Sequence, residues 1–144
     1  MSPTLQSHFA DYASHHRTAG NQLCHSFGIP IIVFSLVGML QHVGLASASG
    51  YTITLAHVAI AAATIYYLRL DPPLAAGMLA YSALSVWLGG ALPWTVCLGL
   101  FVFGWILQFV GHSVYEKRSP AFLKNFVHLL VGPLWILAKA TRRT

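Results

Sequence analysis

The sequence predicts an all-α integral membrane protein: a four-helix transmembrane bundle with an N-terminal interfacial helix and a short C-terminal re-entrant or interfacial helix. Of the 144 residues, 56% are hydrophobic and only 8% are charged, with a mean hydropathy of +0.66. Soluble domains usually carry about 25% charged residues. The apolar residues also form long runs, and a helix needs roughly 20 such residues to cross a bilayer. We therefore expect residues 1–144 to form a single integral membrane domain.

The N-terminal segment predicts the interfacial helix. Leu5, Phe9 and Tyr12 recur at helical spacing among polar residues, a pattern typical of a helix that lies on a membrane surface. No apolar stretch of the length that a secretory signal needs precedes Asn21. We therefore expect this segment to remain in the mature protein.

Four long apolar runs follow, and each predicts a transmembrane helix. They cover residues 24–43, 51–70, 74–91 and 93–110. A fifth run, 126–138, would rise only about 20 Å as a helix, against about 30 Å of hydrocarbon. Because Gly132 and Pro133 also interrupt this run, we expect a re-entrant or interfacial helix there rather than a span.

The charged residues indicate the orientation in the membrane. The links 44–50 and 89–93 carry no charge, whereas charged side chains flank the opposite ends of the runs. By the positive-inside rule the charged face is cytoplasmic, together with both termini. We expect a bacterial inner membrane, where attraction to anionic membrane lipid explains the net charge of +5. The basic residues form no cluster or stacking platform, so nucleic acid is not an expected partner.

Three histidines are predicted to meet at the cytoplasmic face. His16 and His25 precede or open the first span, and His112 follows the fourth span on the same side. A polar group in or near hydrocarbon costs several kcal/mol unless something compensates it. The convergence therefore predicts a metal site, with these three histidines as ligands and catalytic residues. Glu116 and His128 are further candidate metal ligands on this face.

Several candidate residues have a second interpretation. Glu116 can instead pair with a neighbouring basic side chain at the surface, and His128 can bind substrate rather than metal. Arg17 and Lys124 can lie among lipid headgroups, or either can hold a substrate carboxylate. The sequence leaves these alternatives open.

Two side-chain amides stand one helical turn before a candidate ligand. Asn21 precedes His25 by four residues, and Gln108 precedes His112 by the same spacing. An amide at this distance can accept the free ring N–H and fix the tautomer, a usual role around a metal. On one continuous helix His16 and His25 would lie on opposite faces. We therefore predict a helix break at Gly20, with Asn21 capping the next helix.

Two segments resemble the signatures of the small membrane 2-hydroxy fatty acid dioxygenase family. Segment 12–30 contains His16, Asn21 and His25, and segment 108–121 contains Gln108, His112 and Glu116. Their order, their spacing and the chain length agree with the family over nearly the whole chain. One departure is Thr18-Ala19-Gly20, which stands where many members carry an Asn-Pro pair.

The resemblance implies an Fe(II)-dependent dioxygenase. It would use O2 to convert long-chain 2-hydroxy fatty acids to the acid one carbon shorter, a step of α-oxidation. Histidine and carboxylate ligands with open positions are typical of non-haem iron oxygenases, and a 2-hydroxy carboxylate can chelate such an iron. Under this hypothesis His16, His25 and His112, with Glu116 or His128, hold Fe(II) at the interface, and the acyl tail lies between the spans.

Other classes of protein fit parts of the pattern. A histidine-ligated haem or metal-binding membrane protein without oxygenase activity would instead use His42 and His57, which lie in the apolar runs. A diiron desaturase-like enzyme would show denser histidine clusters than this chain contains. A carrier or structural membrane protein would bind no stoichiometric metal.

Overall fold

The computed structural model describes residues 1–117 and 126–143. These residues form six α-helices, a π-helical segment and one β-hairpin. In chain order they are α1 (Pro3–Ser14), α2 (Ala19–Gln41), β1 (Gly44–Ala48), β2 (Tyr51–Thr54), α3 (Leu55–Leu70), α4 (Pro72–Gly90), α5 (Trp94–Val110), the π-helical segment (Gly111–Glu116) and α6 (Val127–Ala140). Lys124 lies outside the described residues.

The predicted N-terminal helix is confirmed, but its apolar face packs on protein. Ser2 caps α1, because its hydroxyl oxygen accepts a hydrogen bond from the Leu5 amide at 3.2 Å. Leu5, Phe9 and Tyr12 are all buried, and they join the apolar core together with residues of α6. Packing against the core, rather than against lipid, therefore accounts for the helical spacing of these three residues.

The predicted helix break between His16 and His25 is also present. Helix α1 ends at Ser14, and α2 begins at Ala19 after a short turn. The cap is Thr18 rather than Asn21, because Thr18 has extended backbone angles and its hydroxyl accepts from the Asn21 amide at 3.4 Å. The break therefore comes before Gly20, and Gly20 itself is helical.

Within residues 1–117 and 126–143, three helical stretches are long and apolar enough to cross a membrane: α2, α4 and the continuous stretch Trp94–Glu116. Helix α3, with 16 residues, is shorter than the predicted second span, because residues 51–54 form strand β2 instead. Helix α6 has 14 residues and contains Pro133. A fourth span at α3 and a re-entrant α6 remain predictions.

The hairpin is an element that the sequence analysis missed. Strands β1 and β2 pair antiparallel, with Ala48 opposite Tyr51. The two residues between them, Ser49 and Gly50, have φ angles of 52° and 81°. Two successive left-handed residues form the tight turn that suits the twist of a hairpin. This small sheet lies at the end of the molecule opposite the histidines.

Helix α2 lies at the centre and meets its neighbours through glycines. A Cβ built on Gly38 of α2 would lie 2.8 Å from the Cys97 sulfur and 3.2 Å from the Gly89 backbone of α4. Only glycine permits these close helix crossings, as at many membrane helix interfaces. The outer faces of α2, α3, α4 and α5 expose large apolar side chains, which suits a surface in contact with lipid.

Candidate metal centre

The three predicted histidine ligands come together in the structure. His16, His25 and His112 are each about 2% exposed, and one ring nitrogen from each lies within 4.8 Å of the others. Their ring centroids are separated by 4.4, 4.9 and 4.7 Å. They come from the turn after α1, the first turns of α2 and the π-helical segment. Three distant parts of the chain thus place imidazoles around one point.

The backbone fixes the tautomer of two of these rings. Nδ1 of His16 lies 2.6 Å from the Tyr12 carbonyl oxygen, and Nδ1 of His25 lies 2.9 Å from the Asn21 carbonyl oxygen. A carbonyl oxygen only accepts, so Nδ1 must donate its proton in both bonds. The lone pair is then on Nε2, which can bind a metal. The predicted orienting role of Asn21 is thus filled by its backbone carbonyl rather than by its side-chain amide.

His112 reaches the centre because a glycine precedes it. A Cβ built on Gly111 would lie 2.6 Å from Asn21 Oδ1 and 3.1 Å from the Cys24 Cβ. Only glycine allows the π-helical segment to approach α2 this closely. π-Helical turns are rare and frequently occur at functional sites. Nδ1 of His112 is buried and makes no hydrogen bond to the described residues.

Burial also sets the charge state of the histidine that lies before α2. Desolvation, together with the nearby His112, lowers the pKa of His16 to about 4, although the hydrogen bond to the Tyr12 carbonyl raises it in part. The ring is therefore neutral at ordinary pH. Neutral imidazole is the form that binds metal ions.

Glu116 lies at the edge of this centre and binds the start of α2. Its carboxylate accepts hydrogen bonds from the backbone amides of Arg17 and Thr18 at 3.1 and 3.2 Å, and from the Thr18 hydroxyl at 3.0 Å. The Asn21 side-chain amide donates a further bond at 3.0 Å. A carboxylate at a helix N-terminus is favoured by the helix dipole. Glu116 therefore links the π-helical segment to α2 beside the histidines.

A cavity of about 60 Å³ opens beside the three histidines. Gln108 and His128 also line it, and Gln108 Nε2 and His128 Nδ1 are buried without a hydrogen-bond partner among the described residues. Buried polar groups are usually paired. These two nitrogens are therefore unpaired polar atoms buried in the cavity wall.

His128 is held by an acidic residue of α1. Its Nε2 lies 2.8 Å from Asp11 Oδ2, so this nitrogen donates to the carboxylate. His128 is not part of the group of three histidines that can share one ion. Asp11 was not a candidate in the sequence analysis, and nothing in the sequence pattern links it to a residue of α6.

Tyr12 is a second residue that the sequence analysis assigned only to an apolar face. Its ring stacks on His16 with centroids 3.9 Å apart and planes 12° apart. The sequence did offer a signal for this contact, because Tyr12 lies four residues before His16. A carbonyl in the last turn of a helix commonly accepts a hydrogen bond from a side chain that follows. Tyr12 thus holds His16 through both its ring and its carbonyl.

The remaining candidates lie away from the histidine group. Arg17 is exposed and does not line the cavity, although its backbone amide binds Glu116. His57 uses both ring nitrogens, one with the Tyr51 hydroxyl at 2.8 Å and one with the Thr54 amide at 3.1 Å. His42 donates to the Leu92 carbonyl at 3.0 Å. These bonds leave His57 without a free lone pair for a haem iron.

The chain is similar to known proteins over almost its whole length. A family profile described as 2-hydroxy-palmitic acid dioxygenase Mpo1-like matches residues 2–144. The chain belongs to this Mpo1-like family. It is 37% identical over 138 residues to a curated relative, the 2-hydroxy-palmitic acid dioxygenase MPO1 of Saccharomyces cerevisiae, and the match covers 92% of this chain and 77% of that protein. No solved structure matches the chain.

Membership of the Mpo1-like family confirms the resemblance seen in the sequence. Segments 12–30 and 108–121, on which that resemblance depends, lie within the matched residues. In the structure these two segments supply all three histidines of the buried group. The family signatures and the candidate metal centre therefore coincide.

Proposed function

We propose that this protein is an Fe(II)-dependent dioxygenase that shortens long-chain 2-hydroxy fatty acids by one carbon. The single observation that carries the proposal is the buried group of three histidines, which opens on a cavity in a member of the Mpo1-like family. The yeast relative is named for the same class of substrate. With O2 as the only oxidant, the atoms balance as the shorter fatty acid, CO2 and water.

The donor set suits Fe(II). His16 and His25 each present a neutral Nε2 that a backbone carbonyl has oriented, and His112 brings a third ring nitrogen within reach. Three protein ligands leave coordination positions open on the metal. A bound iron would offer these positions to O2 and to the hydroxyl and carboxylate oxygens of the substrate. The chain itself contributes the buried, oriented imidazoles.

In this proposal Glu116 positions the ligands rather than binding the metal. Its carboxylate already accepts bonds from Arg17, Thr18 and Asn21, all at the start of α2. These bonds join the end of the π-helical segment to the turn that carries His16. Loss of Glu116 would therefore let the three histidines move apart without removing a ligand.

Gln108 and His128 bind the substrate headgroup in this proposal. Because Asp11 accepts the Nε2 proton of His128, Nδ1 can accept a hydrogen bond from the 2-hydroxyl group. The Gln108 amide can donate to the carboxylate. The exposed Arg17 side chain, one of the two candidates for this carboxylate in the sequence, does not line the cavity, so we assign the carboxylate to Gln108 instead.

The proposed location is the bacterial inner membrane, with both termini and the metal centre on the cytoplasmic face. The three helical stretches that can span a membrane, and the uncharged links opposite the histidines, support this orientation. A substrate with an acyl chain can then reach the centre from the bilayer, while O2 is soluble in both phases.

The test is a product assay on purified protein. Protein prepared in detergent without O2 and loaded with Fe(II) receives 2-hydroxypalmitate and then O2, and mass spectrometry follows the products. We expect pentadecanoate with 2-hydroxypalmitate and no product with palmitate, which lacks the hydroxyl group. Iron-loaded, folded protein that yields no pentadecanoate would contradict the proposed function.

A further inference from the structure

A second cavity begins at the histidine cavity and continues along α2 toward the hairpin. It has a volume of about 420 Å³ and lies among α2, α3, α4, α5 and α6. The lining residues common to both cavities are Ile32, Val33, Trp105, Leu129 and Pro133. The two cavities therefore adjoin each other at these residues, with the histidines on the far side of the smaller cavity.

One face of α2 leads from the metal centre into this second cavity. His25 and Ile29 line the histidine cavity, and Leu36 and Leu40 line the second one. Spacings of three and four residues place these side chains on the same helix face. From His25 to Leu40 the helix rises about 22 Å. A ligand that follows this face thus extends from the histidines toward the hairpin.

The walls of the second cavity are almost entirely apolar. Their polar side chains are those of Ser82, Tyr67 and Trp105, and the Tyr67 hydroxyl already donates to the Leu130 carbonyl at 2.9 Å. Most of the polar side chains around the two cavities therefore lie at the histidine end. A matching occupant has a polar head and a long apolar tail, which describes the proposed substrate.

We propose that the second cavity holds the acyl chain of the substrate, and that Ala59 and Ala63 set the longest chain that fits. This inference rests on the proposed function. Ala59, Ala63 and Tyr67 follow one another at four-residue intervals on α3 and all line the cavity. The two alanines leave room where larger side chains would close the passage. Helix α3 runs from the hairpin toward the histidine end, where the Tyr67 hydroxyl donates to the Leu130 carbonyl of α6. Ala59 therefore lies farther from the histidines than Ala63.

Steric fit, rather than hydrophobicity, sets the selectivity here. An acyl chain that enters from the bilayer already lies in an apolar medium, so burial in the cavity adds little driving force. Excess length in an apolar pocket of fixed size still costs a factor of about ten or more in kcat/KM. Shortening the cavity should therefore shift the chain-length preference without affecting the metal.

The test compares three substitutions on α3. Ala59→Phe and Ala63→Phe fill the second cavity at two depths about 6 Å apart. Ala61→Phe is the matched control, because Ala61 does not line the second cavity but a different groove between α3 and α4, which shares only Ile60 with that cavity. The kcat/KM is measured with 2-hydroxy acids from 2-hydroxyhexanoate to 2-hydroxypalmitate, together with bound iron.

We expect Ala59→Phe to lower kcat/KM for 2-hydroxypalmitate about tenfold or more while sparing 2-hydroxydecanoate. Ala63→Phe should also exclude 2-hydroxydecanoate, and Ala61→Phe should keep the profile of the unchanged protein. Iron content should not change in any of them. An unchanged profile in both cavity variants, or an equal shift in Ala61→Phe, would overturn the acyl-chain site.

A binding readout separates this inference from the proposed function. A 2-hydroxypalmitate analogue with a diazirine at its terminal carbon is added to the unchanged protein without O2 and photolysed. Labels on residues of the second cavity, displaced by excess 2-hydroxypalmitate, support the acyl-chain site even if turnover fails. Labels that excess 2-hydroxypalmitate does not displace would show adventitious lipid binding only, and would overturn it.

Discussion

The two ends of the helix bundle both carry histidines, and they use them differently. At the histidine end, defined by His16, His25 and His112, the rings are buried and close together. At the hairpin end, defined by β1 and β2, His42 is exposed and His57 is half-buried. Each hairpin-end histidine bonds to a nearby hydroxyl, amide or carbonyl group. Histidine content alone therefore does not identify a site.

The decisive difference is how many ring nitrogens remain available. His57 uses both nitrogens within its own capping interactions. His16 and His25 use only Nδ1, and each turns its Nε2 toward the other rings. A metal centre thus requires several imidazoles that each keep a free lone pair and converge on one point. His57 has no free lone pair, and His42 has no second imidazole beside it among the described residues.

The largest expected effect separates the two ends directly. Replacing His112 by alanine should lower turnover by more than about 100-fold. Loss of a metal ligand should cost more than loss of a residue that only hydrogen-bonds to a ligand, which typically costs about 10–100-fold. The matched control is His42→Ala at the hairpin end, which should keep its activity. Turnover of 2-hydroxypalmitate by purified protein is the measurement. Full activity in the His112 variant would remove this residue from the centre.

A smaller effect is expected from Glu116→Gln. The variant replaces the charged carboxylate that accepts hydrogen bonds from the start of α2. The three histidines should then be held less firmly, and the iron affinity should fall about 10–100-fold. At saturating iron the protein should still bind the metal, because the three histidines remain. Lys117→Gln, at the exposed neighbouring residue, is the control. Failure of the Glu116 variant to bind iron at any concentration would instead make Glu116 a ligand.

Asp11→Asn tests the headgroup assignment. Weakening the bond that orients His128 should raise KM for 2-hydroxypalmitate about tenfold, with bound iron unchanged. Because Asp11 also lies 3.8 Å from the His15 ring, His15→Gln serves as the control and should keep its KM. Steady-state kinetics with parallel iron analysis provides both values. A variant that loses iron would show that Asp11 supports the metal rather than the substrate.

The smallest effect is expected at the hairpin end. His57→Ala removes a partner of the Thr54 amide at the start of α3, which should cost about 0.5–2 kcal/mol of stability. The thermal unfolding midpoint in detergent should fall by a few degrees, and turnover should not change. Lost turnover in well-folded His57→Ala protein would revive the haem hypothesis, which assigns a function to this residue.

The sequence predicted the convergence of His16, His25 and His112 because membrane topology brings distant loops to one face. It did not predict the bonds of Glu116, since a carboxylate beside histidines fits either ligation or pairing. The capping turn at Thr18 and the change to π-helical geometry determine which groups the Glu116 carboxylate faces. Both depend on packing between α2 and α5, which a single sequence does not specify.

The hairpin was missed for a different reason. Residues 51–54 contain the aromatic Tyr51 and the apolar Ile53 and carry no charge, so they merged with the apolar run of α3. The Ser49-Gly50 turn and the alternation with Thr52 were the signals for a strand. The contact between Asp11 and His128 left no comparable signal, because it joins two helices that are distant in sequence.

The most direct test of the metal centre is an anaerobic iron titration of purified protein, followed by desalting and elemental analysis. The account predicts about one iron per chain in the unchanged protein, and a clear loss of bound iron in His25→Ala but not in His57→Ala. Folded protein that binds no iron, or a His25 variant that binds as much as the unchanged protein, would contradict it.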